Sequence, residues 1–313
     1  MSNAVPPYRD MLPRASYVPA QMGDFWQLLK PRVMRLVVFT AVCGMVLAPG
    51  ELHIVQALVA VVAIAVNAGA AGALNMWYER DIDAKMQRTS QRPIVKGRVA
   101  ADDALGFGIF LSLGSFALMG LSTNWLAAGL LMGANFFYVF VYTIWLKRLT
   151  PQNIVIGGAA GAFPPMIGWA AVTGDISPTA MILFMIIFLW TPPHFWALSL
   201  FINRDYEKAN IPMMNVVAGP RSTKRQMLLY TLLLLPVSMV PSLLGSTGGL
   251  YALVALLLGV LFLGLNIAVL FEREGAYTAA KRMFGYSIIY LFILFAAMVF
   301  DRTEGVSLLL SFG

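Results

Sequence analysis

Three side chains that carry oxygen ligands recur at four-residue intervals directly after a long uncharged segment. Residues 54–74 contain no charged side chain, and Asn75, Glu79 and Asp83 follow them. If the segment is a helix that continues through this boundary, each of the three is rotated only about 40° from the last, so they share one face. Amide and carboxylate oxygens are ligands that hard cations such as Mg²⁺ prefer. The spacing therefore predicts a magnesium site at the end of the segment.

The acidic motif is surrounded by bases. Within it and just after it stand Arg80, Lys85, Arg88, Arg92, Lys96 and Arg98. Charges that follow a hydrophobic segment often mark only a membrane interface, and this interpretation stays open. Carboxylates set among bases favour instead a site for a metal-bound polyanion. A second acidic segment begins at Asp205, whose carboxylate we expect to join the metal ligands, whereas Glu207 would point elsewhere on a helix.

The composition is that of an integral membrane protein. Of 313 residues, 59% are hydrophobic and 12% are charged, whereas a soluble domain has roughly 25% charged residues. No alternating barrel pattern is present, so the expected fold is all-α, a polytopic helical bundle. The net charge of +7 is assigned to membrane-flanking loops rather than to nucleic-acid binding. The single cysteine, Cys43, excludes an internal disulfide and a cysteine-built metal site.

The hydrophobic pattern predicts nine transmembrane helices. The loops between them alternate between short ones without Lys or Arg and longer ones that carry most of the bases. A membrane-spanning helix needs about 20 largely apolar residues. The predicted spans are 33–49, 54–78, 104–122, 125–145, 154–173, 178–201, 227–245, 249–271 and 283–300.

The distribution of bases predicts the orientation of the chain. With nine spans, all of the 22 bases except Arg302 lie on the side of the N-terminus, which the positive-inside rule makes cytoplasmic. Four spans separate the loop after Asn75 from the loop that contains Asp205, so both loops face the cytoplasm. The expected organisation is a cytoplasmic segment over 1–32, a nine-span domain over 33–300 and a short periplasmic tail over 301–313.

Several features allow two interpretations. Asp24 and Gln27 could cap an interfacial helix over 25–30. The small residues over 67–73 allow helices to approach closely, but they would equally leave room for an apolar chain. Lys147 is either a topology anchor or a phosphate ligand, and Arg32 either snorkels or reaches an anion. His194, which follows two prolines, either bonds a freed carbonyl or contacts a large substrate in the bundle.

The motifs resemble those of the UbiA-type intramembrane prenyltransferases, and the resemblance covers roughly residues 25–300. It rests on the acidic face and on three further strings, which look like the branch of the family that farnesylates haem. These are Tyr142-Thr143-x2-Leu146-Lys147-Arg148, Thr191-Pro192-Pro193-His194-Phe195-Trp196 and Asp205-Tyr206-x2-Ala209-x-Ile211-Pro212-Met213. The chain departs from the usual family pattern at Glu79, where Asp is common, and at Ala209, where a second acid is common.

The resemblance implies farnesyl transfer from farnesyl diphosphate to haem B. The bias of the bases and the lack of a convincing transit peptide predict the bacterial inner membrane, with the site at its cytoplasmic side. Mg²⁺ would be held by the catalytic set Asn75, Glu79, Asp83 and Asp205. Diphosphate ligands would come from Arg32, Arg80, Arg88, Arg92, Tyr142 and Lys147. Haem contacts would come from His194 and Trp196, and a haem A synthase would take the product onward.

Two alternative functions stay open at this point. A quinone-pathway prenyltransferase would share the acidic motifs but use another aromatic acceptor. A transporter would belong to a different class of protein. Transporters usually carry ionisable residues near the middle of the membrane, whereas the charges here collect at one surface, so the transporter is disfavoured.

Overall fold

The computed structural model describes residues 20–302, except for the side chain of Arg32. Most of the predicted N-terminal segment (1–19), most of the predicted tail (303–313) and the predicted anion contact of Arg32 lie outside this part. The described chain is helical. Its elements are α1 (Met22–Leu28), α2 (Pro31–Leu47), α3 (Ile54–Tyr78), α4 (Arg80–Asp83), α5 (Ala101–Ser122), α6 (Trp125–Leu146), α7 (Asn153–Thr173), α8 (Pro178–Phe201), α9 (Asn203–Lys208), α10 (Met214–Val217), α11 (Gly219–Leu243), α12 (Gly249–Phe271) and α13 (Thr278–Phe300).

Eight of these helices are long and apolar enough to cross a membrane, namely α3, α5, α6, α7, α8, α11, α12 and α13. The apolar part of α2 is shorter, over Val33–Leu47. Large apolar side chains such as Phe110, Leu121, Leu243 and Phe271 are exposed on the outer faces of the bundle, where lipid would cover them. The protein is therefore a multi-pass integral membrane protein.

Helices α7 and α8 form the centre of the bundle. In their most apolar windows 67% and 61% of residues are buried, against 28–39% in the other six long helices. Helix α2 packs against α3, α7 and α13, and α8 packs against α7, α11 and α13. The two central helices therefore connect the N-terminal and C-terminal parts of the bundle.

Glycines allow α2 and α7 to pack backbone against backbone. A Cβ atom added to Gly44 would lie 2.0 Å from the carbonyl oxygen of Pro165, and one added to Gly168 would lie 2.1 Å from that of Ala41. Helix α7 continues unbroken through Pro164 and Pro165. Small residues thus serve close approach of helices here.

We expect the substitution Gly168→Ala to lower the melting temperature of the detergent-solubilised protein. The new methyl group must displace the backbone of α2 at Ala41, and overpacking of this kind costs about 1–3 kcal/mol. Gly161→Ala is the matched control on the same helix, because a Cβ there meets no atom within 4 Å. Equal melting temperatures for the two variants would contradict the close approach.

The two ends of the bundle differ in character. At one end α2 begins after Lys30, and this end carries the acidic loops. At the other end Arg302 donates to the carbonyl oxygens of Val46 and Ala48, at 2.5 and 3.2 Å. There the Asp301 carboxylate accepts from the backbone N–H of Tyr251 at 2.6 Å, at the start of α12. The residues that follow α13 thus hydrogen-bond to the end of α2 and to the start of α12.

The short first helix begins earlier than predicted. It covers Met22–Leu28 rather than 25–30. Asp24 stands inside its first turn and accepts from the backbone N–H of Gln21 at 3.1 Å, so it caps the helix from within. The other oxygen of the Asp24 carboxylate pairs with Arg98 at 3.2 Å, which ties α1 to the loop before α5.

Candidate functional site

The three residues of the first acidic motif lie at the end of α3 and in α4, and each is only 2% exposed. The backbone N–H of Glu79 donates to Asn75 at 2.9 Å, and that of Asp83 donates to Glu79 at 2.8 Å. Helical hydrogen bonding therefore continues across the break between α3 and α4. The side chains keep the spacing that the sequence suggested, and two of them are carboxylates removed from water.

Each member of the motif contacts a base, two of them from distant parts of the chain and one, Arg92, from the loop that follows the motif. The Lys30 ammonium donates to Asn75 Oδ1 at 2.6 Å. The Lys147 ammonium lies 2.5 Å from both oxygens of the Glu79 carboxylate. Asp83 accepts from the Arg92 guanidinium at 2.5 Å. Burial of these carboxylates is thus compensated by paired positive charge.

Lys30 was absent from the set of site residues predicted from the sequence. It lies in the turn between α1 and α2, with a left-handed backbone φ of 53°. A Cβ at Gly72 would lie 3.3 Å from Lys30 Cδ, so this glycine in the small-residue patch gives the lysine stem room to reach Asn75. Burial lowers the pKa of Lys30 to about 7, and the charges of Arg92 and Lys147 act in the same direction. The signal in the sequence was Gly72 itself, a glycine one turn before Asn75 that leaves room for a neighbouring side chain.

The C-terminal half of α6 positions two further contacts. From Phe137 to Leu146 the helix is a π-helix, and the N–H of Lys147 continues its pattern by donating to the Tyr142 carbonyl at 2.9 Å. Thr143 accepts from the Asn75 amide at 3.0 Å. One segment therefore holds the Asn75 side chain and delivers Lys147 to Glu79, and π-helical turns are frequent at functional sites.

Tyr142 lies beside these contacts. Its ring fills the space over Gly157, where a Cβ would be 2.1 Å from a ring carbon. The Lys147 ammonium is 5.8 Å from the centre of the ring. The aromatic face of Tyr142 is thus turned toward a base of the site.

The second acidic loop meets the first. The Asp205 carboxylate accepts from the backbone N–H of Arg88 at 3.3 Å. Ile82 and Met86 of the first loop share one apolar cluster with Ala209 of the second. Ala209, at a position where the family commonly has an acid, is therefore buried between the loops. Residues 117 positions apart in sequence come together at one end of the bundle.

Two of the predicted diphosphate ligands, Arg80 and Arg88, lie at the rim, together with Glu207, which was predicted to point elsewhere. Arg80 is exposed and folds back onto the end of α3, where it donates to the Trp77 carbonyl at 2.7 Å. The Arg88 side chain is also exposed. Glu207 is exposed, and it accepts a hydrogen bond from the Asn203 amide. These three side chains form no contact with the acidic motif among the interactions of residues 20–302.

A second ion pair lies next to the site, at the surface. The Arg148 guanidinium donates to both oxygens of the Asp81 carboxylate, at 2.8 and 3.0 Å. Partial burial opposes ionisation of Asp81, but the hydrogen bond and charge of Arg148 outweigh it and lower the pKa of this carboxyl. Asp81 is two residues from Glu79, and Arg148 directly follows Lys147. The exposed Asp81–Arg148 pair is therefore a suitable control for substitutions in the less exposed Glu79–Lys147 pair.

The two predicted haem contacts differ in accessibility. His194 lies in α8, and its Nδ1 is 2.6 Å from the Ser287 hydroxyl on α13. Trp196 is fully buried and packs edge-to-face on Tyr230. A fully buried indole has no free surface for a ligand in this arrangement, whereas His194 is buried but keeps 8% of its surface exposed.

The site fits a metal-bound polyanion by the chemistry of its groups. Within residues 20–302 no three acidic, histidine or cysteine side chains are grouped closely enough to hold a metal ion, because the carboxylates face bases. The first acidic motif and Asp205 nevertheless provide amide and carboxylate oxygens, the ligand types that suit Mg²⁺. The paired bases could transfer to phosphate oxygens while the carboxylates turn to the metal. The site thus contains both the oxygen ligands that suit the metal and the bases that suit the phosphate groups.

Comparison with known proteins identifies relatives over most of the chain. The model of the UbiA prenyltransferase family matches residues 37–288. A protoheme IX farnesyltransferase of Novosphingobium aromaticivorans is 54% identical over 288 residues, which cover 91% of this chain and 95% of that protein. One from Parvibaculum lavamentivorans is 56% identical, with 90% and 89% covered. One from a Methylobacterium species is 52% identical, with 97% and 96% covered.

Solved structures share the fold at much lower sequence identity. A digeranylgeranylglyceryl phosphate synthase superposes with a TM-score of 0.75 at 16% identity, covering 89% of this chain and 97% of the other. A UbiA homologue from Archaeoglobus fulgidus bound to DMAPP and Mg²⁺ superposes with a TM-score of 0.65 at 15% identity, covering 87% and 99%. These likenesses establish the arrangement of helices.

Proposed function

The chain belongs to the UbiA prenyltransferase family, and from this premise we propose that it transfers a farnesyl group from farnesyl diphosphate to a vinyl group of haem B. Addition of water then gives the hydroxyethylfarnesyl group of haem O. The names of relatives that are 52–56% identical over about nine-tenths of the chain support this acceptor and donor. The observation that carries the proposal is the meeting of two acidic loops beside partly buried bases.

The donor fits the position of the site. Farnesyl diphosphate has an apolar chain that dissolves in the bilayer and a head group with several negative charges. In the structure the bases and carboxylates lie at the ends of α3 and α6, beyond long apolar helices. We assign the head group to these ends and the farnesyl chain to the apolar interior of the bundle.

We assign the metal to Asn75, Glu79, Asp83 and Asp205, as the sequence suggested. Mg²⁺, when bound there, supplies positive charge that stabilises the departing diphosphate. In support, a UbiA homologue of the same fold is described as bound to DMAPP and Mg²⁺. The metal requirement of this chain is a part of the proposal.

Bases of the site bind and stabilise the leaving group. Lys30, Arg92 and Lys147 would exchange their present partners for phosphate oxygens, and their charges would offset the negative charge that grows as the allylic C–O bond breaks. Arg88 lies beside Asp205 and would approach the phosphates from the second loop. Arg80 is a candidate at the rim, and Arg32 stays a candidate from the sequence alone. Tyr142 offers an aromatic face toward the reacting end.

The transfer itself needs no nucleophilic serine or cysteine. The terminal carbon of the haem vinyl group attacks the allylic carbon of the farnesyl group, and the diphosphate leaves. The positive charge then lies on the remaining vinyl carbon, next to the porphyrin. Water adds to this carbon and loses a proton, which completes the product. Apolar walls would shield from water the positive charge that develops on the allylic carbon as the C–O bond breaks, and aromatic faces would stabilise it.

The orientation of the protein is also proposed. We infer that α2 is the ninth span, because it runs beside α7 between the two ends of the bundle. The acidic loops then face the cytoplasm, as the distribution of bases requires, in the inner membrane of a bacterium. Delivery of haem O to an oxygenase that forms haem A stays a prediction.

The proposed function is tested by product analysis. Purified protein supplied with farnesyl diphosphate, Mg²⁺ and equal amounts of haem B and 4-hydroxybenzoate should form haem O, identified by mass spectrometry. Omission of Mg²⁺ with added chelator should abolish the product. Farnesylation of 4-hydroxybenzoate instead would assign the protein to quinone synthesis. Absence of any farnesylated product would reject the proposal.

A further inference from the structure

The His194 imidazole is enclosed on both faces by aromatic rings. The Trp190 ring is stacked on it with centroids 4.3 Å apart, and the Phe284 ring is stacked on it at 4.7 Å. Phe195 meets the ring at a right angle at 5.2 Å. Stacking on both faces leaves only the edge of the imidazole for a ligand, and the nitrogen lone pairs lie in the plane of that edge.

Ser287 determines which nitrogen carries the proton. Its hydroxyl donates to the Phe284 carbonyl at 2.6 Å. A serine hydroxyl has one hydrogen, so toward His194 it can only accept. The proton of the neutral imidazole is therefore on Nδ1, 2.6 Å from Ser287 Oγ, and Nε2 carries a lone pair. Within residues 20–302, this Nε2 has no hydrogen-bond partner.

Ser287 also binds the Trp190 ring that stacks on His194. The backbone carbonyl of Ser287 accepts from the Trp190 indole at 2.8 Å. Ser287 on α13 thus holds both His194 and its stacking partner on α8. The imidazole is held in one orientation and one tautomer, which is the way that proteins prepare a histidine to bind a metal.

We propose that His194 Nε2 binds the iron of the acceptor haem and that Ser287 is its positioning residue. This inference rests on the proposed function, because that function supplies the haem. Neutral imidazole nitrogen is a common ligand of haem iron. The hydrogen bond to Ser287 would raise the basicity of the ring and fix its direction. Iron ligation would hold the porphyrin in one plane and so limit the positions that its vinyl groups reach.

The location of His194 suits this role. It lies seven residues before the end of α8 at Phe201, which is about 10 Å along a helix, and the second acidic loop follows directly with Asp205. A haem bound at His194 would lie on the membrane side of the carboxylates. The farnesyl chain must enter the same region.

The test is resonance Raman spectroscopy of the detergent-solubilised protein with ferrous haem B and without farnesyl diphosphate. The wild-type protein should show an iron–histidine stretching band. His194→Gly should abolish the band, and added imidazole should restore it by occupying the space of the lost ring. His53→Ala is the matched control, since His53 is the chain's other histidine and caps the start of α3 at the opposite end. It should leave the band unchanged.

A second variant tests the positioning role. Ser287→Ala should weaken haem binding about tenfold and lower the frequency of the iron–histidine band, because Nδ1–H loses its acceptor. Ser238→Ala is the control, since Ser238 is a buried helical serine that donates to the Leu235 carbonyl at 2.7 Å. It should change neither quantity. An unchanged frequency in Ser287→Ala would overturn the role of this residue.

The inference and the proposed function fail in different ways. A wild-type complex without the band, or a His194→Gly complex that keeps it without imidazole, overturns ligation by His194. Haem O formation by a wild-type protein that shows no band does the same, while the proposed function stands. Conversely, ligation by His194 without any haem O product supports the binding site and rejects the proposed reaction.

Discussion

The substitutions Glu79→Gln and Asp83→Asn are each expected to lower the rate of farnesyl transfer by about 10²–10³-fold. Each change keeps the shape of the side chain and removes a negative charge from a position that is 2% exposed. The site then loses an anionic ligand for the metal, and the paired base, Lys147 or Arg92, is left without its partner. The measurement is the rate of haem O formation at saturating substrates and Mg²⁺.

Asp81→Asn is the matched control for this experiment. Asp81 lies between the two motif acids in sequence, but its side chain is 55% exposed and pairs with Arg148 at the surface. We expect the control to keep its activity within about threefold, because an exposed pair contributes little. Full activity of both motif variants would reject the metal assignment, and loss of activity in Asp81→Asn alone would move the site to the outer face of α4.

Eight of the nine predicted spans correspond to helices long and apolar enough to cross a membrane. They could be predicted because each apolar segment is bounded by residues that end helices or attract water. The bounds 54–78, 178–201 and 249–271 match α3, α8 and α12. Helix α11 begins earlier than its predicted span, at Gly219, because its first turns carry bases and are helical without being apolar. Hydropathy detects the membrane-embedded part of a helix, whereas hydrogen bonding extends beyond it.

The shared face of the acidic motif could be predicted from helical geometry, but the partners of its members could not. Lys30 meets Asn75 over 45 positions and Lys147 meets Glu79 over 68, and such contacts depend on how helices pack. The π-helical segment that directs Lys147 has no pattern in the sequence that distinguishes it from an α-helix. Gly72 carried a local signal for Lys30, since a glycine on a packed face admits a neighbouring side chain.

The substitution Lys147→Met is expected to destabilise the protein and to inactivate it. The Glu79 carboxylate would remain buried without its partner, and loss of one member of a buried ion pair costs about 3–5 kcal/mol. The site would also lose a base that we assign to the diphosphate. Melting temperature in detergent and the rate of haem O formation measure the two effects on the same preparation.

The double variant Lys147→Met with Glu79→Gln separates these effects. It removes both charges, so most of the lost stability should return, while activity should stay as low as in Glu79→Gln alone. The adjacent exposed pair provides the control: Arg148→Met, alone or with Asp81→Asn, should change stability by about 0–1 kcal/mol and retain activity. A double variant that recovers both stability and activity would make the Glu79–Lys147 pair a structural element only. A double variant that recovers stability and stays inactive supports a functional role for the pair, with Glu79 as a metal ligand and Lys147 as a phosphate ligand.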